Sequence, residues 1–356
     1  MTHTLTNAFK MLIICIFELV GSMKSEHWVD ELDAFVLKQV AADRFSGCVL
    51  IAQGDTPIFR KAYGFASKRF RVPNQVGTKF NLGSITKVFT KVAVMQLAER
   101  HKLSLEDYIS EHLQNYPPDI ASKVAINHLL SHTSGMGNYF NEKFEASKDK
   151  LRTVDDFMNI FLNETLSFKP GEKMQYSNNG YIVLGKIIES ISGQDYYDYV
   201  KEHIYGPAGM SDSDHYETDS PVPNLAIGYT RIHDQPIKPV EGSWRENSLM
   251  IGIKGSPAGG GYSTADDLLR FSIALRSHKL LNQENTDLVY HQPSPGGADQ
   301  AKPRTLGIAG GAPGIGAVLK MHLETGYVNI ILSNHDPEDM QVIRKKTEDI
   351  ILHESQ

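Results

Sequence analysis

Ser84-Ile85-Thr86-Lys87 sets a hydroxyl three residues ahead of an amine. The stripe Val88, Val92 and Met95 predicts a helix over 84–100. On a helix, positions i and i+3 share a face, so the amine can reach the hydroxyl. A helix start also turns free N–H groups and the positive end of its dipole toward a developing oxyanion. A lysine desolvated there gives up its proton readily and can take the serine proton, leaving a nucleophilic oxygen. The spacing alone is weak, since chance supplies about one copy in a chain of this size. A second copy, Ser147-Lys148-Asp149-Lys150, lies in a charged stretch and reads as a solvated helix face.

Tyr176-Ser177-Asn178 follows Pro170-Gly171 and precedes Asn179-Gly180-Tyr181. On a turn, a Tyr and an Asn two apart can both point into one cleft. The Tyr could shuttle a proton and the Asn could donate to an acyl carbonyl. Tyr139-Phe140-Asn141 and Tyr327-Val328-Asn329 share that spacing, and the second falls in a predicted strand, where packing explains it. His128 and His132 stand at i, i+4, a spacing that suits two metal ligands. No Glu follows His128 and no third ligand is evident, so both are read as packing and hydrogen-bonding groups at a helix end. The chain lacks a Gly-x-Ser-x-Gly elbow, a phosphate loop and a dinucleotide fingerprint. Gly259-Gly260-Gly261 and Gly310-Gly311 imply tight turns or backbone that must approach something closely.

These residues need a scaffold to bring them together. The chain has 356 residues, 36 basic and 42 acidic, for a net charge of −6. That balance, without a basic block, excludes a nucleic-acid partner. An apolar content of 41% excludes a disordered chain. Two cysteines, Cys15 and Cys48, exclude a disulfide framework. The apolar run Met11–Phe17 is too short for a stable membrane span. It reads either as a signal-peptide core or as a segment ahead of an internal start at Met23, so residues 1–22 are set aside and the compartment stays open.

Ser25 reads as the N-cap of a helix carrying Trp28, Leu32, Phe35, Val36 and Val40. Cys48–Ala52 and Ile58–Phe65, joined through Gly54-Asp55-Thr56-Pro57, read as a hairpin. Ala317–Leu323 and Tyr327–Ser333, joined through Glu324-Thr325-Gly326, read as another, and Met340, Ile343, Thr347, Ile350 and Ile351 mark a closing helix. Short-loop hairpins imply antiparallel pairing. The expected fold is therefore α+β. One antiparallel sheet is built from both chain ends, residues 23–100 and 250–356, with the terminal helices flanking it and 101–249 as a mostly helical lobe.

In order and spacing, four segments resemble the serine β-lactamase and penicillin-binding-protein superfamily, in the branch of class C β-lactamases, D-alanyl-D-alanine peptidases and related carboxylesterases. They are Phe80–Lys87, His128–Gly135, Pro170–Tyr181 and Ala258–Leu268. The resemblance covers about residues 30–350 and implies a site between sheet and helical lobe. It implies Ser84 as nucleophile, Lys87 and Tyr176 as shared general base, and Asn178 orienting the acyl group. The oxyanion hole would be the Ser84 N–H plus one N–H near Gly310-Gly311. No metal or organic cofactor is expected. The sequence departs at Gly307–Gly314, where Ile308 stands in place of the family's Lys or His. That removes a carboxylate anchor and points to a short-chain carboxylesterase. A β-lactamase or D-alanyl-D-alanine carboxypeptidase is the alternative, and a weakly catalytic peptide binder the third reading. Substrates are thus small esters, β-lactams or peptides, and Arg304 is a second source of a cation. Lys91, where the family has a small residue, falls on the same helix face as Ser84 and is expected to extend past the core to solvent.

Overall fold

Gly47–Gln53 (β1) is an apolar run buried on both faces, the pattern of a central strand. The computed structural model, which describes residues 28–232, 244–290 and 305–354, places it there. β1 pairs with Thr56–Tyr63 (β2) on one side and with Tyr327–Ser333 (β5) on the other. Ile315–His322 (β4) and Thr305–Ala312 (β3) complete a five-stranded antiparallel sheet in the order β2-β1-β5-β4-β3. The fold is the expected one, a sheet closed by both ends of the chain.

Alternation along the strands divides two cores. Cys48, Leu50, Ala52, Ala317, Leu319, Val328, Ile330 and Leu332 face the main core. Val49, Ile51, Val318 and Ile331 face the other side. That second face is covered by a helix over 28–41 (α1), through Trp28, Leu32 and Val36, and by the closing helix, through Met340, Ile343, Ile350 and Ile351. Ser25, expected as the cap of α1, lies outside the described residues.

The first hairpin differs in detail from its expected bounds. Thr56 and Pro57 belong to β2, Gln53 faces Thr56, and a register shift at Ile51/Ala52 absorbs one residue. A proline is tolerated because β2 is an edge strand. β2 ends at Tyr63, and Phe65 starts a separate short strand, Phe65–Ser67.

On the main-core face lies Thr86–Glu99 (α2), entered through a 3-10 turn at Gly83–Ile85. It is buried on nearly every side, hence without a polar face. Asn179–Ser192 (α3) packs on it and stops at Gly193, whose left-handed φ of 72° closes the helix. Ala265–Arg276 (α4) lies against β1 and β5. The rest of 101–232 is mostly short helices and loops, among them Ile126–Leu130, Glu142–Ser147 and Val154–Phe161, with a two-residue strand at Tyr229–Thr230. Among the described residues no helix is long and apolar enough to cross a membrane.

Candidate active site

Ser84 sits in the 3-10 turn that opens α2, directly under the edge strand β3. Two glycine segments permit that approach. A Cβ on Gly310 would lie 2.1 Å from the Leu82 carbonyl and 2.9 Å from the Ser84 nitrogen. Gly260 holds a φ of 93° while its N–H bonds the Gly83 carbonyl at 3.2 Å, and Leu82 N–H bonds the Gly261 carbonyl at 2.7 Å. The backbone around Ser84 is thus clamped from the strand and from the 255–261 loop.

Lys87, one turn on, is only 6% exposed. Its Nζ donates to Asn178 Oδ1 at 2.7 Å, to Ser84 Oγ at 3.3 Å and to the Ala258 carbonyl. It also lies 4.8 Å from the centre of the Tyr176 ring and 5.4 Å from that of Tyr181. Burial lowers its pKa to about 7. Tyr176 Oη is 2.7 Å from Ser84 Oγ. Tyr176 keeps 43% of its surface exposed, and burial of the remainder raises its pKa, offset in part by the bond to Ser84.

The turn carrying Tyr176 and Asn178 is held by the segment 135–138. Ser177 Oγ donates to the Gly137 carbonyl at 2.9 Å and Asn178 N–H to Asn138 Oδ1 at 2.9 Å. His132 is a further support that spacing alone does not reveal. It lies beyond the end of the helix Ile126–Leu130, at a φ of 58°, so it shares no helix face with His128. Its ring stacks 4.6 Å from Tyr176 and 5.2 Å from Tyr181, and its Nδ1 accepts the Ser177 N–H at 3.3 Å. Burial, then the Lys87 charge, takes its pKa down to about 4, so it is neutral at pH 7. His128 Nδ1 accepts the Ala125 N–H at 3.1 Å. Both histidines do the packing and bonding expected of them. Among the described residues no group of three His, Cys, Asp or Glu is placed to hold a metal.

Two of the three motifs that repeat the site's spacings make structural bonds elsewhere. Ser147 Oγ donates to the Lys143 carbonyl one turn back at 2.6 Å. Asn329 Nδ2 donates to Thr347 in the closing helix at 2.8 Å. Asn141 caps Glu142–Ser147, whereas Tyr139 and Phe140 line a cavity that reaches Ser84.

Ser84 stands between two cavities. The larger, about 450 Å³, is lined by Gly83, Asn178 and Gly311 near the serine, and by Phe140, Phe144 and Met250 further out. The smaller, about 270 Å³, is lined by Lys87, Leu130, Met174, Leu306, Ile308 and Lys91. Ile308 thus contributes an apolar wall to a cavity that Ser84 also lines. Lys91 does not run out to solvent as its position predicted. Its Nζ donates to the Val289 carbonyl in the helix Gln283–Tyr290 at 3.1 Å, so the side chain turns inward along the cavity. Arg304 lies outside the described residues.

The sheet order, and a serine at a helix start beneath the edge strand, define the β-lactamase fold and its class of serine hydrolases. The chain belongs to the Beta-lactamase family, whose model matches residues 32–352. Penicillin-binding protein 4* of Bacillus subtilis (strain 168) is 29% identical over 337 residues, which span 86% of this chain and 72% of the relative. The chain spans 64% and 42% of the lengths of two other curated relatives. Among solved structures, a penicillin binding protein from Bacillus halodurans is 30% identical with a TM-score of 0.77, over 88% of this chain and 98% of that one. EstCE1, described as a hydrolase with promiscuous acyltransferase activity, shares the fold at 22% identity and a TM-score of 0.73, over 91% and 99% of the two chains.

Proposed function

We propose that the protein is a serine acyl hydrolase that acts through a covalent acyl-enzyme, with short-chain carboxylic esters as its substrates. The observation that carries the reading is Ser84 Oγ held 2.7 Å from Tyr176 Oη and 3.3 Å from a buried Lys87 amine. Neutral Lys87 takes the Ser84 proton as Oγ bonds to the ester carbonyl carbon. The oxyanion is met by the Ser84 N–H and an N–H of β3 near Gly310-Gly311. As the carbon–oxygen bond to the leaving alcohol breaks, that oxygen takes a proton from Tyr176, which regains one from the Lys87 ammonium. In the second half Lys87 takes a proton from water, the hydroxyl oxygen bonds to the acyl carbon, and Ser84 Oγ leaves with the proton back from Lys87.

The larger cavity, with Gly83, Gly311 and Asn178 at its mouth, suits the acyl carbonyl and chain. The smaller, with Lys87 and Tyr176 at its mouth, suits the leaving group. Ile308 in that wall favours an ester, which needs no carboxylate anchor beside the scissile carbonyl. A D-alanyl-D-alanine peptidase or β-lactamase is the second reading, favoured by the penicillin-binding proteins at 29% and 30% identity. The test compares rates on p-nitrophenyl butyrate, a chromogenic cephalosporin and a D-alanyl-D-alanine peptide. Fastest turnover of the butyrate is expected. A fluorophosphonate should label wild type and not Ser84→Ala. Label that persists in Ser84→Ala and disappears on changing Ser147 overturns the nucleophile.

A further inference from the structure

As an ammonium, Lys87 has three hydrogens, and Asn178 Oδ1, Ser84 Oγ and the Ala258 carbonyl each take one. As a neutral amine it has two hydrogens and a lone pair. The two carbonyl oxygens can only accept, so they keep the hydrogens and the lone pair is left for the Ser84 hydroxyl. The direction of the Ala258 carbonyl therefore helps to set the direction of the base. That carbonyl lies in a loop whose peptide planes are held one by one. Gly259 N–H, which shares its plane, donates to the Ser256 carbonyl at 3.0 Å. In the preceding plane, Ala258 N–H donates to Ser256 Oγ at 3.2 Å, and the Pro257 carbonyl accepts from Thr90 Oγ1 at 2.7 Å.

Thr90 stands one turn beyond Lys87 on α2 and is fully buried. Its hydroxyl hydrogen goes to Pro257, so the Tyr196 hydroxyl, 2.7 Å away, must donate to it. Tyr196 is fully buried in the short helix Tyr196–Val200, and that burial holds its phenol protonated. The result is a directed chain from Tyr196 to Thr90 to Pro257, in which each bond polarises the next. The Pro257 ring is seated on α3 at Gly185, where a Cβ would lie 2.2 Å from it. We propose that Thr90, backed by Tyr196, is a positioning residue for the general base. Through the Pro257–Ala258 peptide it holds the acceptor that aims the Lys87 lone pair at Ser84. The proposal rests on the acyl-hydrolase reading and deepens it.

The test is Thr90→Val, which keeps the shape of the side chain and takes the donor from the Pro257 carbonyl. On p-nitrophenyl butyrate it should lower kcat by roughly 10–10², the scale of a small misplacement of reacting groups, with KM nearly unchanged. A carbonyl that accepts from the ammonium favours the charged form, so loosening it should move the acidic limb of kcat/KM to lower pH. The titratable groups around Lys87 are Tyr176 and Tyr181, whose rings face the ammonium, His132 and, in the same cavity, Lys91. All four are unchanged in a Thr90 variant. Thr90→Ser, which retains the hydroxyl, should restore most of kcat and the limb. If Thr90 only fills space, Thr90→Val lowers the urea midpoint and leaves both kcat and limb as in wild type, which overturns the proposal. Loss of kcat with the limb unmoved, or an equal loss in Thr90→Ser, also overturns it. Should Thr90→Val fail to fold, the double variant with Tyr196→Phe removes both hydroxyls together, so the phenol is not left unpaired in the core. In that variant a lowered kcat with a displaced limb supports the proposal, and wild-type values overturn it. Wild type that turns over no ester and takes no fluorophosphonate at Ser84 removes the hydrolase and the role of Thr90 together. Active wild type with an unaltered Thr90→Val removes the role of Thr90 alone.

Discussion

Lys87 is an amine with almost no water around it, held by Asn178, Ser84 and the Ala258 carbonyl. In the proposed mechanism its charge state decides when the site can work. As an ammonium it cannot take the Ser84 proton, and burial sets the changeover at about pH 7. On a neutral ester, kcat/KM should therefore fall as pH drops through about 7 and level off above it, as stopped-time assays across pH 5–9 would show. Tyr176, pushed above the usual phenol range, stays protonated throughout and does not produce that limb. Tyr176→Phe should lower kcat/KM by roughly 10²–10⁴, the usual scale for a general acid or base, while the acidic limb stays in place. Should the limb vanish with the hydroxyl, the base is Tyr176 instead.

At the scale of elements, the strand β3 presents two properties to the site, a backbone that comes very close and a side chain that is apolar. Gly310→Ala would force a Cβ to within 2.1 Å of the Leu82 carbonyl. The strand or the 3-10 turn must then move, and a displacement of an ångström at the reacting atoms costs on the order of 10² in rate. Steady-state kinetics should show that loss in kcat, with circular dichroism unchanged. Ile308→His places a donor on the same strand beside Ser84. It should raise kcat/KM on a cephalosporin at least several-fold and leave p-nitrophenyl butyrate unchanged or slower. Equal change on both substrates would mean that Ile308 is no filter. The elements differ in how plainly the sequence announces them. The Ser84–Lys87 and Tyr176–Asn178 groups are short-range patterns, and β1, β4 and β5 carry apolar runs bounded by turn residues. β3 has three glycines among eight residues, so no hydrophobic period marks it, and it was expected only through resemblance. The stacking of His132 on Tyr176 and the inward turn of Lys91 depend on partners far along the chain, Val289 being 198 residues from Lys91. No local spacing encodes either.

For the molecule as a whole, the two cores divide stability from chemistry. Trp28, Leu32 and Val36 of α1 pack with the closing helix on the face of the sheet away from Ser84. Leu32 is fully buried there. Leu32→Ala removes a large apolar side chain and should lower stability by about 2–5 kcal/mol, read as a shift in urea midpoint. The kcat of the folded fraction should stay near wild type, because none of the site contacts described among these residues crosses to that face. A matching loss of kcat would show that the far core also tensions the site. The same two-ended sheet sets a schedule for synthesis. β1 has its β2 partner within a few residues, but its other edge is matched to β5, from Gly47 against Ser333 to Gln53 against Tyr327. At ribosomal rates of about 5–20 residues per second, the second partner emerges roughly ten to sixty seconds after the first. Throughout that interval Val49, Leu50 and Ile51 have an unpaired edge and incomplete cover on both faces, which makes the nascent chain a client for chaperones and rapid overexpression a route to inclusion bodies.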